Sequence, residues 1–192
     1  MSSQKLIFTI GIDEVGRGPI AGPVAVGSFV VLNKKALRLF SKVKESKQLK
    51  EQDREEWFKK IEKIRDEGLV DFSVVFQSEK IIDTKGLSFA IKNALKISIN
   101  KLVKRNNLQK ENIKVLLDGG LHAPKEYINQ KTIIKGDEKE KIIALASICA
   151  KVLRDRKMRK FSKKSRTNFL DPYIFQLAKT VLVFFIVHIL QN

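Results

Sequence analysis

The sequence predicts an α/β protein: a central mixed β-sheet flanked by helices. Two observations carry this. Short apolar runs rich in β-branched residues, at 5–12, 22–32 and 69–77, crowd the first part of the 192-residue chain. From residue 87 onward, segments with apolar residues at three- and four-residue steps alternate with short apolar runs, which is the order of strands and helices packed in layers.

Residues 5–12, KLIFTIGI, read as a buried strand, and residues 22–32, GPVAVGSFVVL, as a second one entered through a Gly/Pro turn. Residues 33–50 are lysine-rich and irregular. Residues 51–66 have helical spacing with Trp57, Ile61 and Ile64 on one face, and Gly68 ends that helix. A third strand follows at 69–77. Residues 87–105 fit an amphipathic helix that turns Leu87, Ala90, Ile91, Ala94, Leu95, Ile99 and Leu102 inward. VLLDGG at 115–120 reads as a short strand ending in a turn, and TIIKGD at 132–137 repeats that form. Residues 138–160 are again helical, with Ile142, Ile143, Leu145, Ala146, Cys149 and Val152 inward.

Composition narrows the function. Lys+Arg number 38 and Asp+Glu 21, a formal net charge of +17 that favours a polyanionic partner, nucleic acid or an anionic membrane. Lysine inflation without binding is the competing reading. The single cysteine, Cys149, excludes an internal disulfide and fits a reducing cytoplasm. Placed mid-helix between Ile148 and Ala150, it reads as a core residue. No P-loop or dinucleotide fingerprint is present, and neither His122 nor His188 stands in a metal-ligand spacing.

What remains is a set of acids where strands stop. Asp13 and Glu14 end the first strand, Asp118 ends VLLD, and Asp137 follows TIIKG. Ligands of α/β sheets bind just beyond strand ends, where rigid strands hold converging loops. Taken singly, each acid is explained as a turn former. An apolar strand running into two adjacent acids is harder to dismiss, because alternation forces one of them back toward the sheet interior. Gathered carboxylates repel and need a cation or a shared proton, and hard oxygen donors suit Mg²⁺ or Mn²⁺. Gly16 and Gly18 flank Arg17 and permit close backbone approach to a ligand or positive φ.

These residues resemble a known family. IGIDEVGRGPIAGPVAVGSFVV at 10–31 is similar to the signature of type 2 ribonuclease H (ribonuclease HII). ESKQL at 45–49, LLDGG at 116–120 and KGDEKEKIIALASICAKVLRDRKM at 135–158 match further family motifs in the same order. The Gly-Arg-Gly triplet favours type 2 over type 3. The resemblance implies a ribonuclease H-like fold and an endoribonuclease that cleaves the RNA strand of RNA–DNA hybrids. It implies that Asp13, Glu14, Asp118 and Asp137 hold two divalent ions, Mn²⁺ or Mg²⁺. Products with 5′-phosphate and 3′-hydroxyl ends are expected, as are roles in removing RNA primers or ribonucleotides from DNA. Gly16, Arg17 and Gly18 would approach the 2′-hydroxyl, the atom that separates RNA from DNA. Ser46, Lys47, Ser147, Lys151 and Arg154 resemble the family's residues that bind the substrate backbone and support the site. A cytoplasmic monomer acting on a hybrid, with no membrane partner, is the accompanying expectation. A protein that binds hybrids without cutting them is the alternative.

The motif resemblance covers residues 5 to about 160, giving a catalytic domain at 1–160 and a tail at 161–192. Beyond Met158 the family's Tyr-containing H-K-G-Y-like segment is not found, so its role in recognising a ribonucleotide junction is not carried to Tyr173. The tail is basic at first and then strongly apolar, with an uninterrupted apolar run from Val181 to Val187. That run falls short of the ~20 apolar residues a membrane span needs. An amphipathic covering helix is a second reading, although the run has no polar face. A frameshifted or truncated end, without catalytic residues, is the reading adopted.

Overall fold

The computed structural model describes residues 8–18, 22–43 and 49–168, with side chains in the last helix described to residue 162. Ser46, Lys47 and the tail beyond residue 168 lie outside the described residues.

Five strands form one sheet in the order β3-β2-β1-β4-β5. They are β1 (Phe8–Val15), β2 (Val24–Val31), β3 (Val70–Gln77), β4 (Ile113–Asp118) and β5 (Gln130–Ile133). The first three form an antiparallel meander, whereas β4 and β5 run parallel to β1. The expected mixed sheet is therefore present. The helices are α1 (Glu51–Asp66), α2 (Glu79–Lys85), α3 (Leu87–Arg105), α4 (Gly136–Lys139) and α5 (Lys141–Asn168), with 3₁₀ turns at Lys34–Phe40 and Lys110–Asn112.

Strand alternation divides the core in two. Ile10, Ile12, Val115 and Leu117 face a cluster built with Ala90, Ala94, Leu95 and Leu102 of α3. Phe29, Phe72 and Leu116 face the opposite cluster, built with Phe58 and Ile61 of α1 and Ile143, Ala146 and Cys149 of α5. The inward positions expected for α3 and α5 are buried, except that Leu87 is only partly so. On α1 the buried residues are Phe58, Ile61 and Ile64, with Trp57 partly buried at the edge of the cluster.

Two glycines seat α5 on the sheet. A Cβ on Gly11 of β1 would collide with the Ile142 carbonyl, and one on Gly27 of β2 would lie 2.5 Å from the Ala146 carbonyl oxygen. Side chains at these positions would lift the helix away, because packed interiors leave no slack for an added methyl group.

Three expectations are corrected. The strand placed at 132–137 is β5, which ends at Ile133, so Asp137 sits in the first turn of α4 instead of at a strand end. The irregular stretch after residue 33 contains a 3₁₀ turn capped by Asn33, whose side chain accepts the Lys35 N–H. The last helix starts at Lys141 and runs eight residues past the expected end, to Asn168.

The chain divides into two compact units, Met1–Asp155 and Arg156–Asn192. The first holds the sheet, α1 to α4 and the opening turns of α5. In the second, the described residues continue that helix, where the Lys157 ammonium lies 5.9 Å from the Phe161 ring centroid. No helix among the described residues is long and apolar enough to cross a membrane.

Candidate active site

Parallel pairing of β1 with β4 brings two strand ends to the same pole. The register pairs Ile12 with Leu117, so the next residues, Asp13 and Asp118, follow side by side where the pairing of the two strands ends, while β1 continues to Val15 against β2. Alternation then sorts the adjacent acids. Asp13 follows Gly11 onto the α5 face, and Glu14 follows Ile10 and Ile12 onto the α3 face.

Asp13 is 4% exposed. Its Oδ1 accepts the Glu14 N–H at 2.8 Å, and the Ser147 side chain on α5 hydrogen-bonds its carboxylate. Burial pushes the Asp13 carboxyl up to about 8. The Ser147 bond opposes that shift, while the charges of Asp118, Glu14 and Asp137 add to it. The other three acids named by the sequence thus lie within electrostatic reach of Asp13. Burial likewise raises Glu14, opposed first by Arg17, whose Nη1 lies 3.3 Å from Glu14 Oε1. Glu14 Oε2 is buried and accepts no hydrogen bond.

Asp137 reaches the pole by a different route. Lys135 adopts a left-handed conformation at φ 55°, and the following Gly136 N–H donates to Asp118 Oδ1 at 2.5 Å. A Cβ on Gly136 would lie 2.7 Å from Ile143 Cδ1 and 3.2 Å from Asp118 Oδ1, so a side chain on this strap would require the Ile143 side chain to shift. The strap delivers Asp137, 2% exposed, into the same pole.

Gly16 has φ 96°, and a Cβ there would collide with Arg154 Nε, so both reasons for glycine apply. Gly18 has open space around its Cβ position, and neither reason is visible there. Arg17 is exposed. Arg154 is buried, and its Nε donates to the Pro23 carbonyl at 2.9 Å, tying α5 to the far end of the Gly-Arg-Gly loop. Lys151 is half-buried on α5, one turn beyond Ser147.

Hard carboxylate oxygens, one of them buried without a hydrogen bond, suit a small divalent cation. Among the described residues, no three His, Cys, Asp or Glu side chains are arranged as a ready-made metal site. Local bonds account for this in part: Asp13 Oδ1, Glu14 Oε1 and Asp118 Oδ1 are held by the Glu14 N–H, Arg17 and the Gly136 N–H. Sequence reasoning did not single out Ser88, Lys92 or the site side of His122, which line a hollow next to Arg17. Their signal was spatial, since the hollow joins the start of α3 to the turn after β4.

Comparison with known proteins identifies the family. The family model described as Ribonuclease HII matches residues 10–171. Ribonuclease HII of Clostridium beijerinckii is 39% identical over 158 residues, covering 82% of this chain and 54% of that protein. Ribonuclease HII of Caldicellulosiruptor bescii is 40% identical over 157 residues, covering 82% and 69%. The chain therefore spans about half the length of some curated relatives. Among solved structures, RNase HII from the PCNA:RNase HII complex of Archaeoglobus fulgidus superposes with a TM-score of 0.64 at 26% identity, covering 82% of this chain and 78% of that one. A family model matching most of the chain and relatives about 40% identical lead to one assignment: this chain belongs to the ribonuclease HII family.

Proposed function

We propose that this protein is a divalent-metal-dependent endoribonuclease that cleaves the RNA strand of RNA–DNA hybrids. The observation that carries the reading is the acid pole itself. Asp13 is buried beside Asp118, Glu14 and Asp137 at the end of a parallel strand pair, with its carboxyl pushed up to about 8.

In this reading Asp13, Glu14, Asp118 and Asp137 hold the ions, Mn²⁺ or Mg²⁺. Bound there, such ions would supply Lewis-acid activation of a water and charge stabilisation at the leaving oxygen. The remaining work belongs to the chain. Ser147 orients the Asp13 carboxylate, and Gly136 fixes that of Asp118. Arg154 clamps the loop so that Gly16 and Arg17 present main-chain and guanidinium donors to the substrate backbone, with Gly18 lending access. Hydrogen bonds to a 2′-hydroxyl would select the RNA strand. Lys151, and Ser46 and Lys47 outside the described residues, would contact phosphates that position the hybrid without reading its sequence. The products would carry 5′-phosphate and 3′-hydroxyl ends, which suits removal of primers or embedded ribonucleotides by a cytoplasmic monomer.

The test is incubation of the full chain with labelled RNA–DNA hybrid and Mg²⁺ or Mn²⁺. Cleavage confined to the RNA strand supports the reading. Binding without turnover by folded, metal-supplied protein replaces it with a hybrid-binding role.

A further inference from the structure

We propose that the hollow bounded by Arg17, Ser88, Lys92 and His122 is a seat for a backbone phosphate of the bound nucleic acid, and that Lys92 is its principal cation. This inference rests on the nucleic-acid reading of the acid pole and adds residues to it.

The hollow is a small recess of about 90 Å³, open to solvent and lined also by Ile91, Leu95, Gly120 and Leu121. Its polar groups suit a phosphate. It adjoins the acid pole on two sides, since Arg17 pairs with Glu14 at 3.3 Å and Gly120 lies two residues after Asp118. A ligand seated there would touch the substrate path within one Arg17 side chain of the acids. The polar groups offered are a guanidinium, an ammonium, a hydroxyl and an imidazole, and among the described residues no carboxylate lines the hollow.

Charge placement along α3 points the same way. The +17 excess is not spread evenly over the chain. Helix α1 carries six acids against five bases, whereas α3 carries Lys92, Lys96, Lys101, Lys104 and Arg105 with no acid at all. Lys92, Lys96, Asn100 and Lys104 follow one another at i, i+4 spacing, which sets like charges on one row at a cost to the helix. Asn93, Lys96, Ile97, Asn100, Lys101 and Lys104 line a second, open groove on the same helix. The excess is thus concentrated on α3, on the opposite face of the sheet from the nearly balanced α1. A polyanion that enters at the Arg17–Lys92 hollow and continues along α3 accounts for both features.

The experiment is fluorescence anisotropy of a short labelled RNA–DNA hybrid with the full chain in EDTA, titrated at several salt concentrations between ~50 and ~200 mM. Lys92→Ala is expected to weaken binding about three- to tenfold at low salt and to make the plot of log affinity against log salt shallower by about one. Lys92→Arg should restore both, and Lys59→Ala, an exposed lysine of α1, should change neither. With metal present, Lys92→Ala should raise KM and leave kcat unchanged at saturating hybrid. His122→Ala should also weaken binding, because it removes a hydrogen-bonding group from the hollow. A wild-type chain that binds hybrid, with Lys92→Ala keeping its slope and affinity, overturns the seat alone. A wild-type chain that binds no hybrid overturns the nucleic-acid reading and the seat with it. Binding without cleavage removes only the catalytic reading, and the anisotropy comparison still decides the seat.

Discussion

Arg154 Nε donates to the Pro23 carbonyl across 131 residues of sequence, at 2.9 Å, and the same guanidinium lies where a Gly16 side chain would be. One buried arginine thus fixes both ends of the loop that carries Arg17. Arg154→Met keeps the length and apolar stem but loses the donor. It should cost about 1–3 kcal/mol of stability by orphaning the carbonyl, and lower kcat by up to about a hundredfold through a misplaced loop. Urea denaturation and single-turnover cleavage measure the two effects. An unchanged kcat would show that the loop holds its shape without this bond.

The glycine seat of α5 gives a second prediction. Gly27→Ala places a methyl 2.5 Å from the carbonyl oxygen of Ala146, the residue next to Ser147, whose side chain bonds Asp13. Overpacking here should cost about 1–3 kcal/mol and shift Ser147 away from Asp13. Stability and cleavage should fall together, as read by thermal melting and initial rates. Loss of neither would mean that the helix has room to move.

How much of this was legible in the sequence follows from what each feature leaves in residue order. α1 and α3 were placed at their observed bounds because their apolar residues recur at helical steps, and each buries one face. Asp13 and Glu14 stood out because two acids directly follow an apolar run. α2 left no such trace, because none of its residues is buried. Asp137 was assigned to a strand end because TIIKGD resembles VLLDGG. What decides its place is Gly136 N–H captured by Asp118 Oδ1, a contact across 18 residues that no local pattern encodes. The Gly11 and Gly27 notches were hidden for the same reason: each glycine is explained by a helix that begins more than 100 residues later.

Asp13 makes metal-free stability depend on pH. The folded chain keeps this proton up to about pH 8, whereas the unfolded chain releases it near ~4. The folded state therefore binds more protons between these values, so stability falls as pH rises from ~4 to ~8 and levels off above. At ~1.4 kcal/mol per unit, the burial of this one carboxyl costs several kcal/mol at the upper end. In EDTA, Asp13→Asn should melt higher than wild type at pH 8 and lose that advantage near pH 4. Melting curves across this range check it, and parallel curves for the two proteins would contradict it.

Ion binding should offset the cost of this buried charge. Millimolar Mg²⁺ or Mn²⁺ should raise the Tm of wild type, by the equivalent of ~2.7 kcal/mol at a hundred times Kd, and more at pH 8 than at pH 6. Asp13→Asn and Asp118→Asn should show a smaller rise. Calorimetric titration gives the affinity directly, and equal shifts in wild type and both variants would place the ions elsewhere.

The central claim is that the acid pole cuts RNA. The most direct measurement compares wild type with Asp13→Asn on a hybrid labelled at the RNA 5′ end, with Mn²⁺ or Mg²⁺, and identifies the new ends. Wild type should cut the RNA strand alone, leaving 3′-hydroxyl and 5′-phosphate ends, while folded Asp13→Asn binds the hybrid and cuts at least about a thousandfold more slowly, a loss of ~4 kcal/mol in transition-state stabilisation. Equal cleavage by the two proteins, or none by folded, metal-supplied wild type, would contradict the account.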